Sequence, residues 1–192
     1  MEKIIAILIS TLLTIITPFN EPILPQASLE PIDYVIYMEG LPETIQLHPF
    51  STISEQDGMA NYVTYIEADY YNVEQQDNLL RITPNIDIYP IVFMEIKQIP
   101  NVSVMEMEAE ITNSKAFNNC TTFHTPSTED FPFVRIEFYD GDERDSTVTN
   151  FYIRDNSHGG VFVATAQYFT EAVGGHGVRF MHYLKTLVII ET

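Results

Sequence analysis

The sequence predicts an α+β fold, a mostly antiparallel β-sheet flanked by helices. Three observations lead there. Short runs in which Tyr, Ile, Val, Phe or Met alternate with polar residues recur through residues 32–98 and again through 133–168. A helix-capping signature opens a helical stretch between these two groups. A second helical stretch closes the chain, and strands in runs with helices between and after them fit α+β rather than a strict βα repeat.

The chain opens with Lys3 and the 13-residue apolar run Ile4 to Ile16. As a helix it would span about 20 Å, short of the ~30 Å hydrocarbon core of a bilayer. It therefore reads as the h-region of an export signal over residues 1–27. Pro25 fits poorly two places before a cut at Ala27, which leaves the cleavage site and an uncleaved tether open. Pro18, Pro22, Pro25 and Pro31 make an extended segment, with a linker at 28–31 before a single domain over 32–192.

Tyr34, Ile36 and Met38 face one side of a first strand, and a turn at Gly40 to Pro42 leads to a second from Thr44 to Phe50. Asp57-Gly58 marks the next turn. Tyr62 to Glu67 and Leu79 to Thr83 read as strands around a polar bend containing Gln75 to Asn78. Ile88 to Gln98 reads as a central strand, with Pro90 keeping its first residues out of the ladder. Val102 to Asn113 alternates as a strand would, yet Ser103 and Glu106 form a capping box and Val102 can staple onto Met107, which predicts a helix. Phe133 to Tyr139, Thr147 to Asp155 and Val161 to Tyr168 read as a β-meander. Phe180, Leu184 and Leu187 share one face of a helix from Val178 to Leu187, and Val188 to Glu191 closes the chain as a strand.

These elements carry a resemblance. The aromatic hairpin Asn61 to Val73, the strand-then-helix from Ile91 to Asn113 and the final strand-helix pair resemble the PsbP-like fold, an α/β/α sandwich. The stretch Gly159 to Leu187 is also similar to small exported or lipid-anchored proteins of Gram-positive bacteria. The resemblance covers residues 32–192 and implies a non-catalytic accessory or binding role. This chain has no Cys behind its apolar run, so the lipid anchor of the anchored members does not carry over.

The formal net charge is -18. Such a surface repels nucleic acid and anionic lipid. Arg135, Arg144, Arg154, Arg179 and Lys185 are scattered along the sequence and form no basic stretch. Cys120 is the sole cysteine, so no internal disulfide and no Cys-based zinc or iron-sulfur site can form within one chain. A semi-buried structural role suits it better than a reactive thiol.

Candidate chemistry is sparse. Asp140 to Asp145 places carboxylates like part of a calcium loop, but the sixth and twelfth positions are Asp145 and Phe151 instead of Gly and Glu, which favours a solvated turn. His48, His124, His158, His176 and His182 form no compact ligand pair. Gly174-Gly-His-Gly177 precedes a helix and could present amides to an anion, although a turn starting the helix is the simpler reading. Arg179 and Lys185 follow on that helix. Glu106, Glu108 and Glu110 read as a polar face. Tyr62, Tyr65, Tyr70 and Tyr71 read as sheet core, or as an aromatic binding surface. Asn101-Val-Ser103 and Asn119-Cys-Thr121 match glycosylation acceptors, relevant only in a eukaryotic secretory route. No nucleophile motif is present.

The expectation is thus a secreted, non-catalytic binding or accessory protein acting at or outside the cell envelope. Its partner would be a protein or a small ligand, with no nucleic acid and no cofactor. Membrane contact would be limited to export or to an uncleaved N-terminal segment. The alternative is an exported hydrolase whose carboxylate site assembles only in three dimensions.

Overall fold

The computed structural model describes residues 29–86 and 92–190. The predicted export segment 1–27, Ser28, the start of the predicted central strand with Pro90, and Glu191 lie outside the described residues.

Strands β1 (Ile32–Met38), β2 (Leu41–Thr52) and β3 (Asn61–Ile66) are followed by β4 (Tyr71–Gln76), β5 (Leu79–Pro84) and β6 (Phe93–Pro100). Helix α1 (Val104–Thr112) leads to β7 (Thr121–Thr125), β8 (Val134–Tyr139), β9 (Thr147–Asp155) and β10 (Gly160–Phe169). Helix α2 (Val178–Lys185) and β11 (Val188–Ile190) complete the described chain. Two sheets result, with strand orders β1-β2-β3-β11 and β4-β5-β6-β10-β9-β8-β7. Every paired strand runs antiparallel to its neighbour.

This corrects the predicted fold class. The molecule is mostly β, a four-stranded and a seven-stranded sheet with two short α-helices, and not a helix-flanked α/β/α sandwich. Length explains it. Seven strands at about 4.8 Å span roughly 29 Å, whereas a nine-residue helix such as α1 covers only about 14 Å. Two strands also escaped the sequence reading. The polar bend at Gln75 to Asn78 is half strand: Gln76 pairs with Leu79, and only Asp77 and Asn78 turn. All five residues of β7 are exposed, so no apolar alternation marks it.

Between the sheets lies one core. Tyr34, Ile36, Ile45 and Leu47 from the small sheet meet Ile82, Ile96, Phe162 and Ala164 from the large one, joined by Phe180 and Leu184 of α2. Tyr62 and Phe162 cross it edge to face at 5.1 Å. On the outer face of the large sheet, Met107 and Ile111, four residues apart on α1, cover Ile136, Phe138, Val161 and Val163. The predicted capping box is present: Ser103 N–H donates to Glu106 Oε2 at 2.9 Å, and Glu106 N–H donates to Ser103 Oγ at 3.3 Å. Val102 packs into the same cluster as Met107, as a hydrophobic staple requires. The predicted meander is β8-β9-β10.

Hydroxyl groups tie α2 to β3. Thr64 Oγ1 donates to Tyr183 O at 2.9 Å, a carbonyl in the last turn of the helix, and Tyr65 N–H donates to Thr186 Oγ1 at 2.9 Å. The Tyr183 carbonyl also accepts from Thr186 N–H at 3.1 Å and from Thr186 Oγ1 at 2.7 Å, so the bond from Thr64 ties an already capped helix end to the strand.

At the opposite end of β10, a polar corner joins the β2–β3 loop, the β9–β10 loop and strand β6. Asn156 is fully buried and all its side-chain hydrogen-bonding capacity is used. Its Nδ2 donates to Gly58 O at 2.8 Å and to Gln98 Oε1 at 3.0 Å, while its Oδ1 accepts from the N–H groups of His158 and Gly160, both at 2.9 Å. Gln98 in turn exchanges two bonds of 2.8 Å with the backbone of Ala60.

Candidate functional site

A cleft of about 590 Å³ opens where the β1–β2 turn faces the segment between β10 and α2. Met38 and Glu39 form one wall; Phe169, Glu171, Ala172, Gly174, Gly175 and His176 form the other. Glu39 and Gly40 both have positive φ, 52° and 82°, which gives the right-handed twist that a two-residue hairpin demands and puts Glu39 at its tip. The predicted turn therefore sits one residue earlier, and Pro42 lies in β2 opposite Tyr37.

The far wall is unusual backbone. Thr170–Ala172 is a single 3₁₀ turn and Val173–Gly177 is a π-helical turn running directly into α2. Wide π turns cost stability and recur at functional sites. The three glycines in this turn differ. A Cβ on Gly177 would lie 3.0 Å from the Tyr168 ring, so close packing against β10 explains that glycine. Gly174 and Gly175 have ordinary negative-side backbone angles, and a Cβ on either would meet nothing within 4 Å.

Below the cleft the titratable groups interlock. His176 Nδ1 and Tyr71 Oη are 2.7 Å apart, and the His176 ring also contacts Tyr71 at 5.8 Å and Phe180 at 6.2 Å between centroids. Burial, and then the charge of Arg179, push the His176 pKa below the ordinary imidazole value. Burial likewise raises that of Tyr71. Both are neutral near pH 7, so either Tyr71 O–H donates to Nδ1 and Nε2 carries the ring proton, or Nδ1–H donates to Tyr71 Oη and Nε2 is an acceptor.

Arg179, nearly buried, is paired with two carboxylates, and its Nη1 lies 3.5 Å from Met38 Sδ. Its Nε donates to Glu67 Oε2 and its Nη2 to Glu43 Oε1, each at 3.0 Å, and its guanidinium lies 5.0 Å from the Tyr70 ring centre. Burial opposes its charge, but the bond to Glu67 and the nearby Glu67 and Glu43 carboxylates outweigh that and raise its pKa. Tyr183 Oη adds a weaker bond to Glu67 at 3.4 Å.

The structure thus brings together residues the sequence kept apart: Tyr70, Tyr71, Gly174, Gly175, His176 and Arg179 share one neighbourhood. Tyr62, Tyr65 and Tyr71 are core residues, and of that aromatic group Tyr70 alone is exposed. His182 is separate, its Nδ1 3.4 Å from Tyr34 Oη. His158 serves the polar corner through Asn156 O, 3.0 Å from its Nδ1, and His124 Nε2 lies 3.1 Å from Glu108 Oε2 on α1. His48 stands in β2. Glu106, which caps α1, and Glu110, beside the α1 groove, are four residues apart on one side of the helix, whereas Glu108 points elsewhere to His124, so the three do not form a single face.

Asp140 to Asp145 is the β8–β9 turn: Asp140 Oδ1 accepts from Thr147 N–H at 2.6 Å, and the loop docks on the cleft wall through Glu171 N–H, which donates to Arg144 O at 3.0 Å. Among the described residues no group of three or more His, Cys, Asp or Glu gathers to hold a metal. Cys120 is half-buried against the α1 cluster.

A second polar network lies on the inner face of the large sheet. Arg135 pairs with Glu137 and donates through Nε to Asn150 Oδ1 at 3.1 Å, and Asn150 Nδ2 donates to Tyr168 Oη at 2.8 Å. Burial pushes the neighbouring Tyr152 pKa up to about 12. These groups satisfy one another, and they fix the strand face against which Gly177 packs.

Glu39, Glu171, Met38 and Phe169 were invisible as a set in the sequence, because nothing in their spacing links a hairpin tip to the end of a strand 130 residues later. The glycine run was the available signal. No protein-family model and no curated protein matches the chain.

Proposed function

We propose that the protein is a secreted, non-enzymatic binding or accessory protein that acts at or outside the cell envelope and holds a small ligand in the Gly174–His176 cleft. The observation carrying this reading is the pair Gly174 and Gly175. Each costs roughly 0.5–1 kcal/mol relative to alanine in helical backbone. Neither positive φ nor crowding requires them, and they line the cleft. A ligand approaching the backbone supplies the missing reason.

The size fits, since small-molecule sites run from about 300 to 1,000 Å³ and combine apolar walls with few polar groups. Glu67 and Glu43 are both engaged by Arg179, an arrangement suited to anchoring α2, so the alternative of an exported hydrolase would have to rest on Glu39 and Glu171 of the cleft walls.

The test is a ¹H–¹⁵N titration of the domain with a library of small polar and apolar fragments. Fragments that shift the resonances of Gly174, Gly175 and His176 saturably, and lose that effect in Gly175→Leu, are expected. Saturable binding that maps elsewhere and persists in Gly175→Leu would remove the cleft from the proposal. Secretion is tested separately by expressing the full chain and assaying cells and medium; retention in the cytoplasm would sink that part.

A further inference from the structure

Resting on the cleft as a binding site, we infer that its ligand is a small organic cation, a protonated amine carried on an apolar body. The walls divide by chemistry. Met38, Phe169 and Ala172 offer apolar surface, while Glu39 and Glu171 supply two carboxylates on opposite walls. The cations nearby do not cancel them. Arg179 is paired with Glu67 and Glu43 and meets the cleft wall only from behind, its Nη1 3.5 Å from Met38 Sδ. Arg144 meets Glu171 only at 3.6 Å, with both side chains largely in water, a pairing of little strength that a competing ammonium can displace.

His176 adds no positive charge at neutral pH, because its surroundings hold it in the neutral form. In the neutral tautomer whose Nδ1–H donates to Tyr71 Oη, its Nε2 accepts from an N–H donor. The chain's net charge of -18 favours cations at long range and disfavours carboxylate or phosphate ligands at this opening. Gly174 and Gly175 let an alkyl or aryl body lie directly on the backbone between the two carboxylates.

Hexylammonium and benzylammonium are the probes, with hexanol, benzyl alcohol and hexanoate as matched controls, followed by ¹H–¹⁵N spectra at pH 7 and low salt. The amines are expected to shift Glu39, Gly40 and 174–176 saturably, with the alcohols at least ~10-fold weaker, which corresponds to about 1.4 kcal/mol, and hexanoate without effect. Glu39→Gln and Glu171→Gln should each weaken the amines by about two- to fivefold, in line with exposed ion pairs. Alcohols binding as well as amines at these resonances would overturn the cationic class and leave the cleft reading intact. Shifts spread over exposed carboxylates across the surface would mean counterion attraction only and overturn it too. No saturable shift at 174–176 with any probe would overturn the inference, and the fragment titration above then decides the cleft itself.

Discussion

Two glycine-bearing corners terminate β10, and they are built on opposite terms. At its start, Gly58, Gly159 and Gly160 are each required: Gly58 and Gly159 have φ of 79° and 86°, and a Cβ on Gly160 would sit 2.5 Å from Ile99 O and 2.8 Å from Gly58 O. Around them Asn156 and Gln98 exchange hydrogen bonds that join the β2–β3 loop, the β9–β10 loop and strand β6. Beyond its end, Gly174 and Gly175 meet neither condition. Glycine that the fold demands marks structure, and glycine that it merely tolerates marks a surface kept clear for something else.

The sharpest way to break this comparison is to substitute the first corner. Gly160→Ala places a methyl against backbone atoms that cannot rotate away, so β10 must shift relative to β6. A loss of about 3 kcal/mol or more is expected from urea denaturation, at the upper end for overpacking. A loss below ~1 kcal/mol would mean that this corner is as forgiving as the other. Asn156→Ala is expected to cost about 2–3 kcal/mol, because the buried Gly160 N–H loses its partner and the partly buried bonds to Gly58 O and His158 N–H go with it.

A smaller effect should appear with pH, at the helix that supports the cleft. Burial, and next the charge of Lys185, push the His182 pKa down to about 4 from an ordinary 6.5. The unfolded chain therefore takes up a proton near pH 6.5, and the folded chain does not until about pH 4. This contribution to stability is fully present above pH 6.5 and declines as pH falls through the window from 6.5 to 4. His182→Gln should flatten that decline in melting temperature relative to the unsubstituted protein. Parallel pH profiles for the two would sink the assignment. Carboxylate protonation affects both proteins alike and drops out of the difference.

How far the sequence revealed these corners follows from the range of the forces involved. Helix α1 was legible because a capping box and a staple act within five residues, and β8-β9-β10 because inward and outward residues alternate on a meander with one face on each core. The β4 strand was hidden by Glu74, Gln75 and Gln76, which are exposed on a sheet edge and so carry no apolar signature. The same holds for β7. The hairpin expected over Asn61 to Val73 does not form: β3 pairs with β2 and β11 and β4 with β5, because at Glu67 to Tyr70 the chain crosses between sheets, where no pattern distinguishes a hairpin from a change of layer. The cleft depended on pairings farther still: Arg179 meets Glu43 and Glu67, more than 100 residues earlier, and only the tertiary fold sets that distance.

The smallest effect is the most discriminating, because it has the opposite sign to the first. Gly175→Ala adds a Cβ into open space and removes conformational freedom from the unfolded chain, so the variant should gain about 0.4–1 kcal/mol. For a chain of this size that raises the melting temperature by roughly 1–4 °C. Gly174→Ala should behave alike, and the two gains should add if each acts through the unfolded state. The same methyl narrows the floor on which a ligand body would lie, so a cleft ligand should bind the stabilised variant more weakly. A gain in stability without a loss of binding would assign the glycines to the mechanics of the π turn; a loss of stability would mean that the turn itself needs them, and the contrast between the two corners would collapse.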